Sequence, residues 1–253
     1  MNLNIKHFVS FVTIMLFLSC KEQPTSLKQI VGKKININDS ITPKDSILSY
    51  VLPFTNRINA VLDSTIAYAP NSISKDDGEL NTTAGNLMAD ITLAEANPVF
   101  LKRTGKNIDF VLLNFGGIRS VISKGNINRR TAYEVMPFEN NIVVAALKGA
   151  SVRKLVSYLV NGHVPHPISG LQVVLDKDDE LQFVNIQGKP FNEDQTYYVA
   201  TSDYLFNGGD NMNFFKEATE VTDLNYLIRN AMIDYFMKVD TIAPVVDGRF
   251  KKI

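Results

Sequence analysis

Two hydrophobic periods alternate along this chain, and that alternation restricts the folds open to it. Apolar residues three and four apart mark helices. They are Phe54, Ile58, Val61 and Leu62; Leu87, Ile91 and Ala94; Val152, Leu155, Val156 and Leu159; and Leu224, Leu227, Ile228, Ala231 and Tyr235. Between them, short runs at Thr65–Ala69, Ile108–Leu113, Asn141–Leu147 and Thr196–Thr201 read as strands. Leu171–Leu175 and Leu181–Ile186 flank Asp176-Lys177-Asp178-Asp179 and read as a hairpin. Helices and strands interspersed in this way, with at least one hairpin, predict an α+β domain: a mixed sheet with flanking helices.

Local signals set the expected boundaries. Pro53 is suited to the first helical position, where its missing N–H costs nothing. Asn81, Thr82 and Thr83 offer N-caps for a helix from Ala84 to Ala96, which Asn97-Pro98 is expected to stop. Thr222 or Asp223 is expected to cap the last helix.

The first residues have a different character. Lys6 and His7 precede an apolar run from Phe8 to Leu18, broken only by Ser10 and Thr13. The run is too short to span a bilayer core of about 30 Å, but it suits the core of an export signal. It ends in Leu18-Ser19-Cys20, which resembles a bacterial lipoprotein cleavage box. Cys20 is the only cysteine, so no disulfide can form within the chain. The expectation is a signal peptide over 1–19, a lipidated Cys20, a flexible polar tether over 20–43 and one domain over 44–253. Such a protein would be exported and held at a bacterial membrane by its lipid. The 26 basic and 26 acidic residues balance and are mixed, so nothing suggests a nucleic-acid polymer as partner.

Three separated segments carry the chemistry. They are Asn114-Phe115-Gly116-Gly117-Ile118-Arg119, Met136-Pro137-Phe138-Glu139-Asn140 and Tyr204-Leu205-Phe206-Asn207-Gly208-Gly209-Asp210. Each joins a turn-forming backbone to an aromatic or charged side chain. Phe138 and Tyr204 are suited to gripping a flat ligand between ring faces, and a nucleobase of any kind has such a face. Asn114, Arg119 and Asp210 are suited to its polar edge, while Gly117 and Gly209 admit the backbone. As a set these residues read as a nucleoside or nucleotide pocket built from three loops.

In that order the segments resemble the C-terminal domain of the 5′-nucleotidase family. The resemblance begins near Ile47, passes Gly85-Asn86-Leu87 with Ala89-Asp90, and ends in Pro244-Val245-Val246-Asp247-Gly248-Arg249. It implies an α+β domain, base stacking by Phe138 and Tyr204, and polar ligand contacts from Asn114, Arg119 and Asp210. Two departures stand out. Where the family places another arginine ahead of the Gly-Asn-Leu motif, this chain has Asp76-Asp77-Gly78-Glu79, and Phe115 replaces a common glycine. Base and ribose recognition are therefore better supported than phosphate recognition.

The family's enzymes also carry an N-terminal metallophosphatase domain, in which Asp, Asn and several His hold two metal ions that clamp the reacting phosphate. This chain has three histidines: His7 in the leader, and His163 and His166 in a proline-broken stretch that reads as a solvated loop. No catalytic residue and no metal or other cofactor is expected in it. The resemblance implies a recognition domain for nucleotide catabolism whose two divalent metals reside in a separate metallophosphatase chain. A stand-alone nucleoside-binding lipoprotein for scavenging, and a domain with an interaction role only, remain the alternatives. As to address, Cys20→Ala is expected to abolish palmitate labelling and release the protein from the membrane fraction. Labelling equal to the wild type would refute lipidation.

Overall fold

The computed structural model describes residues 4–17, 27–38 and 40–253. The chain falls into two units, 1–50 and 51–253. The first contains helix α1 (Ile5–Phe17). Its 13 residues reach about 20 Å at 1.5 Å per residue, and no helix among the described residues is long and apolar enough to cross a membrane. Cys20 lies outside the described residues, and residues 27–38 are exposed without regular structure.

Helix α2 (Asp45–Leu62) begins in the first unit and ends in the second. It starts a full two turns before Pro53, contrary to the expectation that the proline opens it. The missing proline N–H orphans the carbonyl of exposed Ser49, where solvent can satisfy it. The following elements are β1 (Thr65–Ala69), α3 (Thr83–Thr104), β2 (Phe110–Leu112), β3 (Gly125–Asn128), α4 (Arg129–Val135), β4 (Asn141–Lys148) and α5 (Gly149–Gly162). Then come β5 (Ile168–Ser169), β6 (Leu171–Leu175), β7 (Leu181–Ile186), β8 (Lys189–Pro190), β9 (Thr196–Ser202), α6 (Asp203–Phe206), β10 (Glu220–Leu227), α7 (Ile228–Phe236) and β11 (Phe250–Lys252).

Two boundaries moved for reasons of packing. Thr82 caps α3 as anticipated, its hydroxyl accepting from Gly85 N at 3.1 Å. The helix nevertheless runs through Pro98. That proline and the carbonyl it orphans, on Ala94, are exposed, while Glu95, Ala96 and Phe100 bury on the opposite side. The helix ends instead at Gly105, whose φ of 75° suits glycine and whose N–H closes on Leu101 O at 2.8 Å. Thr222 or Asp223 was anticipated to cap the last helix, but residues 220–227 form β10, in which Glu220–Asp223 pair antiparallel with Val143–Ala146 of β4. Helix α7 starts only at Ile228.

The central sheet has the order β10-β4-β9-β2-β5 and is mixed: β9 and β2 are parallel, and the other neighbours antiparallel. A second sheet has the order β11-β6-β7-β8 and contains the anticipated hairpin β6–β7. Alternation along the central strands feeds two cores. Val111, Ile142, Val144 and Ala200 join one with residues of α3, α4 and α7. Phe110, Leu112, Leu147 and Val199 join the other with α5 and the 3₁₀ turn 213–217. The architecture is the α+β mixed-sheet class.

The C-terminal segment is stitched back onto α3. Arg249 pairs with both oxygens of Asp90 at 2.8 and 3.0 Å and donates to Ile168 O at 2.8 Å. Buried Asn81, one of the three anticipated caps, has a different task. Its amide nitrogen donates to Asp247 O and Phe250 O, and its oxygen accepts from Asn86 Nδ2 and Asp247 N. Asn81→Ala would strand several of these groups at once, at about 1–3 kcal/mol for a buried one left unpaired. The expected outcome is a loss of ~2–4 kcal/mol in urea unfolding with unchanged denaturant dependence. A loss under ~0.5 kcal/mol would mean that water replaces the amide.

Candidate functional site

The sheet register brings the three loops together. Ile142 faces Ser202 across the β4–β9 ladder, and Val111 faces Ala200 across β2–β9. The C-terminal ends of β2 and β9 and the N-terminal end of β4 therefore lie on one edge. Asn114 leaves β2 there, residues 136–140 enter β4 there, and Tyr204 follows β9 there. Their side chains line one cavity of about 320 Å³, walled by Asn114, Gly116, Gly117, Arg119, Phe138, Asn140, Tyr204 and Asp210.

The rings are held open to solvent: Phe138 is 40% exposed and Tyr204 47%. Ser202 starts the short helix that carries Tyr204, its hydroxyl accepting from Leu205 N at 3.1 Å. The Tyr204 ring lies flush on the backbone of Gly209, where any β-carbon would come within 2.4 Å of it. Only glycine fits there. On the other side, Arg119 stands over the Phe138 ring at 5.8 Å and donates to Gly116 O at 3.2 Å.

Asp210 is the polar hub. It adopts the left-handed backbone conformation (φ 51°, ψ 27°), which Asp tolerates better than most residues. One carboxylate oxygen accepts from Asn114 Nδ2 at 2.7 Å and the other from Tyr204 Oη at 2.9 Å. This acceptor raises the Tyr204 phenol above its ordinary value. The backbone carbonyl of Asp210 accepts from Tyr158 Oη at 2.9 Å. A site of this composition can clasp a flat, hydroxyl-bearing ligand.

All seven sequence-anticipated residues, Asn114, Gly117, Arg119, Phe138, Tyr204, Gly209 and Asp210, fall in these three loops, and all but Gly209 touch the cavity directly. Phe206, a neighbouring aromatic, packs against the core instead. Asn140 lines the cavity too, although sequence reasoning quoted it without giving it a role. Arg229 was missed altogether. It is buried in the first turn of α7 and donates to the carbonyls of residues 136–138. Its one visible signal is an arginine inside an apolar stripe.

The two loop histidines differ. His163 is exposed, 3.5 Å from Asp179. His166, expected in solvent, is buried against Tyr158 and accepts at Nδ1 from Phe115 N at 3.2 Å. No group of three or more His, Cys, Asp or Glu among the described residues is placed to hold a metal ion.

Burial pushes the His166 imidazole down to about 4, partly opposed by Asp210. Its folded value lies below the unfolded 6.5, so its contribution to stability is intact above pH 6.5 and is lost as pH falls towards 4. At pH 5 the loss from this group is about 2 kcal/mol. His166→Gln keeps a hydrogen-bond acceptor without the titration. Unfolding free energies from urea titrations at pH 7.5 and 5 are expected to differ less in the variant by that amount. An equal pH dependence would show that the imidazole is not the group responsible.

Comparison with known proteins places the site in a family. The family model for the 5′-nucleotidase C-terminal domain matches residues 63–217. A cell wall protein of Listeria monocytogenes, Lmo0130, is 30% identical over 218 residues, covering 76% of this chain and 27% of that protein. Protein UshA of Yersinia enterocolitica is 28% identical, over 74% of this chain and 34% of its own length. Human 5′-nucleotidase is 25% identical, over 87% and 42%. Among solved structures, a 5′-nucleotidase precursor from Thermus thermophilus superposes with a TM-score of 0.67 at 24% identity, over 83% of this chain and 42% of that one, and so shares the fold. The chain thus spans less than half the length of these relatives. Its matched segment contains all three loops and the cavity between them, and the chain belongs to the 5′-nucleotidase C-terminal domain family.

Proposed function

We propose that this chain is the nucleoside- or nucleotide-recognition domain of a 5′-nucleotidase-type hydrolase, acting in nucleotide catabolism beside a separate metallophosphatase chain. The observation that carries the reading is the pair of half-exposed rings, Phe138 and Tyr204, on one cavity with the Asp210 carboxylate and the Arg119 guanidinium. The rings stack on the two faces of the base. Asp210 accepts from ribose hydroxyls, Asn114 bonds the base edge and holds Asp210, and Arg119 reaches the ribose or a phosphate. Gly117 keeps its part of the cavity wall free of a side chain, and Gly209 leaves room for the Tyr204 ring. The two divalent metals belong to the partner, whose hydrolytic step gains from a substrate already held in place.

The organisation follows the same reading: a signal over 1–19, lipid on Cys20, a tether over 20–43 and the recognition domain over 44–253. The location is the cell envelope, in keeping with the cell wall relative, and the lipid holds the protein on a membrane.

The alternative, a stand-alone nucleoside-binding lipoprotein, draws on one observation. The place of a family arginine is acidic, and Asp77 is engaged in receiving Thr83 N at 2.9 Å at the start of α3. That leaves Arg119 as the cation lining the cavity.

The test is calorimetry with adenosine and AMP on the full chain. Phe138→Ala or Tyr204→Ala is expected to weaken binding by about 1–3 kcal/mol, the scale of one base–ring stack. Unchanged affinity in both variants, with the fold intact, removes the stacking. In an assay on AMP, the chain alone is expected to be inactive and to raise the rate of an added metallophosphatase. Activity on a simple phosphate ester should not depend on it. Metal-dependent AMP hydrolysis by this chain alone overturns the division of labour, and adenosine bound much more tightly than AMP favours the stand-alone binder.

A further inference from the structure

The four consecutive residues that form the Phe138 wall are gripped by one buried side chain. Arg229 is 4% exposed. Its Nη1 donates to the carbonyls of Met136 at 3.5 Å, Pro137 at 3.2 Å and Phe138 at 3.3 Å, and its Nη2 pairs with the Glu139 carboxylate. The guanidinium also stacks 4.3 Å over the Tyr133 ring, on the helix that leads into this segment. Next to it, Ile228 N donates to Asn140 O at 3.0 Å. Every residue from 136 to 140 is thus tied to the first two residues of α7.

A group like this is expensive to bury. Taking a guanidinium out of water costs several kcal/mol, and an aliphatic side chain of similar volume commonly serves stability as well or better. Its one carboxylate partner, Glu139, is 76% exposed, and Arg229 Nε is buried with no hydrogen-bond partner among the described residues. A chain packing only for stability gains little from this arrangement. What the guanidinium supplies, and an aliphatic residue cannot, is a rigid fork that fixes successive carbonyls in direction.

We propose that Arg229 is the positioning residue of the cavity. It fixes the 136–139 backbone so that the Phe138 ring stands as a preset wall of the cavity that Tyr204 also lines. The inference rests on Phe138 as a ligand-stacking ring, and it assigns the specificity of that stack to a side chain that never touches the ligand. Preset walls raise affinity by removing the cost of ordering them during binding.

The experiment has one arm without ligand and one with it. The chain contains no tryptophan, so Phe138→Trp places a single indole in the wall. Adding Arg229→Gln is expected to raise acrylamide quenching of that indole about two-fold or more, as a freed segment swings into solvent. Arg229→Lys should not restore it, because an ammonium lacks the planar fork. Glu139→Ala, at an exposed position, is the variant to read if both arginine replacements fail to fold, and it too should raise quenching. Unchanged quenching in the folded variants overturns the proposal.

In the ligand arm, Arg229→Lys is measured against adenosine in three backgrounds. It is expected to lower affinity about ten-fold in the wild type and in Tyr204→Ala, but less than about two-fold in Phe138→Ala, because the two residues act as one unit. Equal losses in all three backgrounds mean general destabilisation and refute positioning. If the wild type binds no adenosine, the proposed function fails, and the quenching arm still decides whether Arg229 sets the segment.

Discussion

The ladder between β4 and β9 is the constraint on which the site depends. Seven facing pairs run from Ile142–Ser202 to Lys148–Thr196, and the strands are buried along most of their length. A slip of one residue would turn every side chain to the opposite face of the sheet. Ile142 and Val144 would be forced into the second core and Leu147 into the first, misfitting two interiors that are each packed around their own set of side chains. The register is therefore fixed by the two cores. Because it is fixed, the loops carrying Phe138 and Tyr204 are delivered to the same sheet edge. The apolar interior aligns a polar site.

Around the cavity the polar contacts form a chain from one loop to the next. Asn114 from the first loop and Tyr204 from the third meet on Asp210. Tyr158 of α5 supports the backbone of Asp210 from behind, and buried His166 supports the backbone of Phe115. The second loop is held from another direction, by α7. The first and third loops are thus fastened to each other, and the second is fastened to a helix. Helix α7 also packs against α3 in the first core, so the Phe138 wall is tied to the core on that face of the sheet.

Much of this was legible in the sequence, and the parts that were not share a physical cause. Strands β4 and β9, the β6–β7 hairpin, helix α5 and the Thr82 cap were readable because periodicity and capping act within a few residues. The three loops were readable for the same reason: glycine pairs and a flanking aromatic are local signals. Residues 220–223 could not be read as a strand, since what makes them one is β4, more than seventy positions earlier. Pro98 misled because its effect depends on which side of α3 faces solvent. Arg229 and His166 stayed hidden because their partners are loop backbone atoms far away in sequence, which no composition or spacing reveals. In each case the deciding interaction was tertiary, and it overrode a correct local preference.

The doubly occupied carboxylate of Asp210 has a consequence for discrimination. A site rejects an analogue lacking a hydroxyl most strongly when the missing group leaves a buried acceptor stranded. Here both oxygens already hold donors supplied by the protein, Asn114 and Tyr204. A ligand hydroxyl arriving at Asp210 adds a bond to a satisfied group, and its removal leaves no orphan. The carboxylate accordingly acts as an oriented guide and not as a strict gate. If the cavity takes a flat ligand as proposed, selection falls to how that body fits against the two rings that line it.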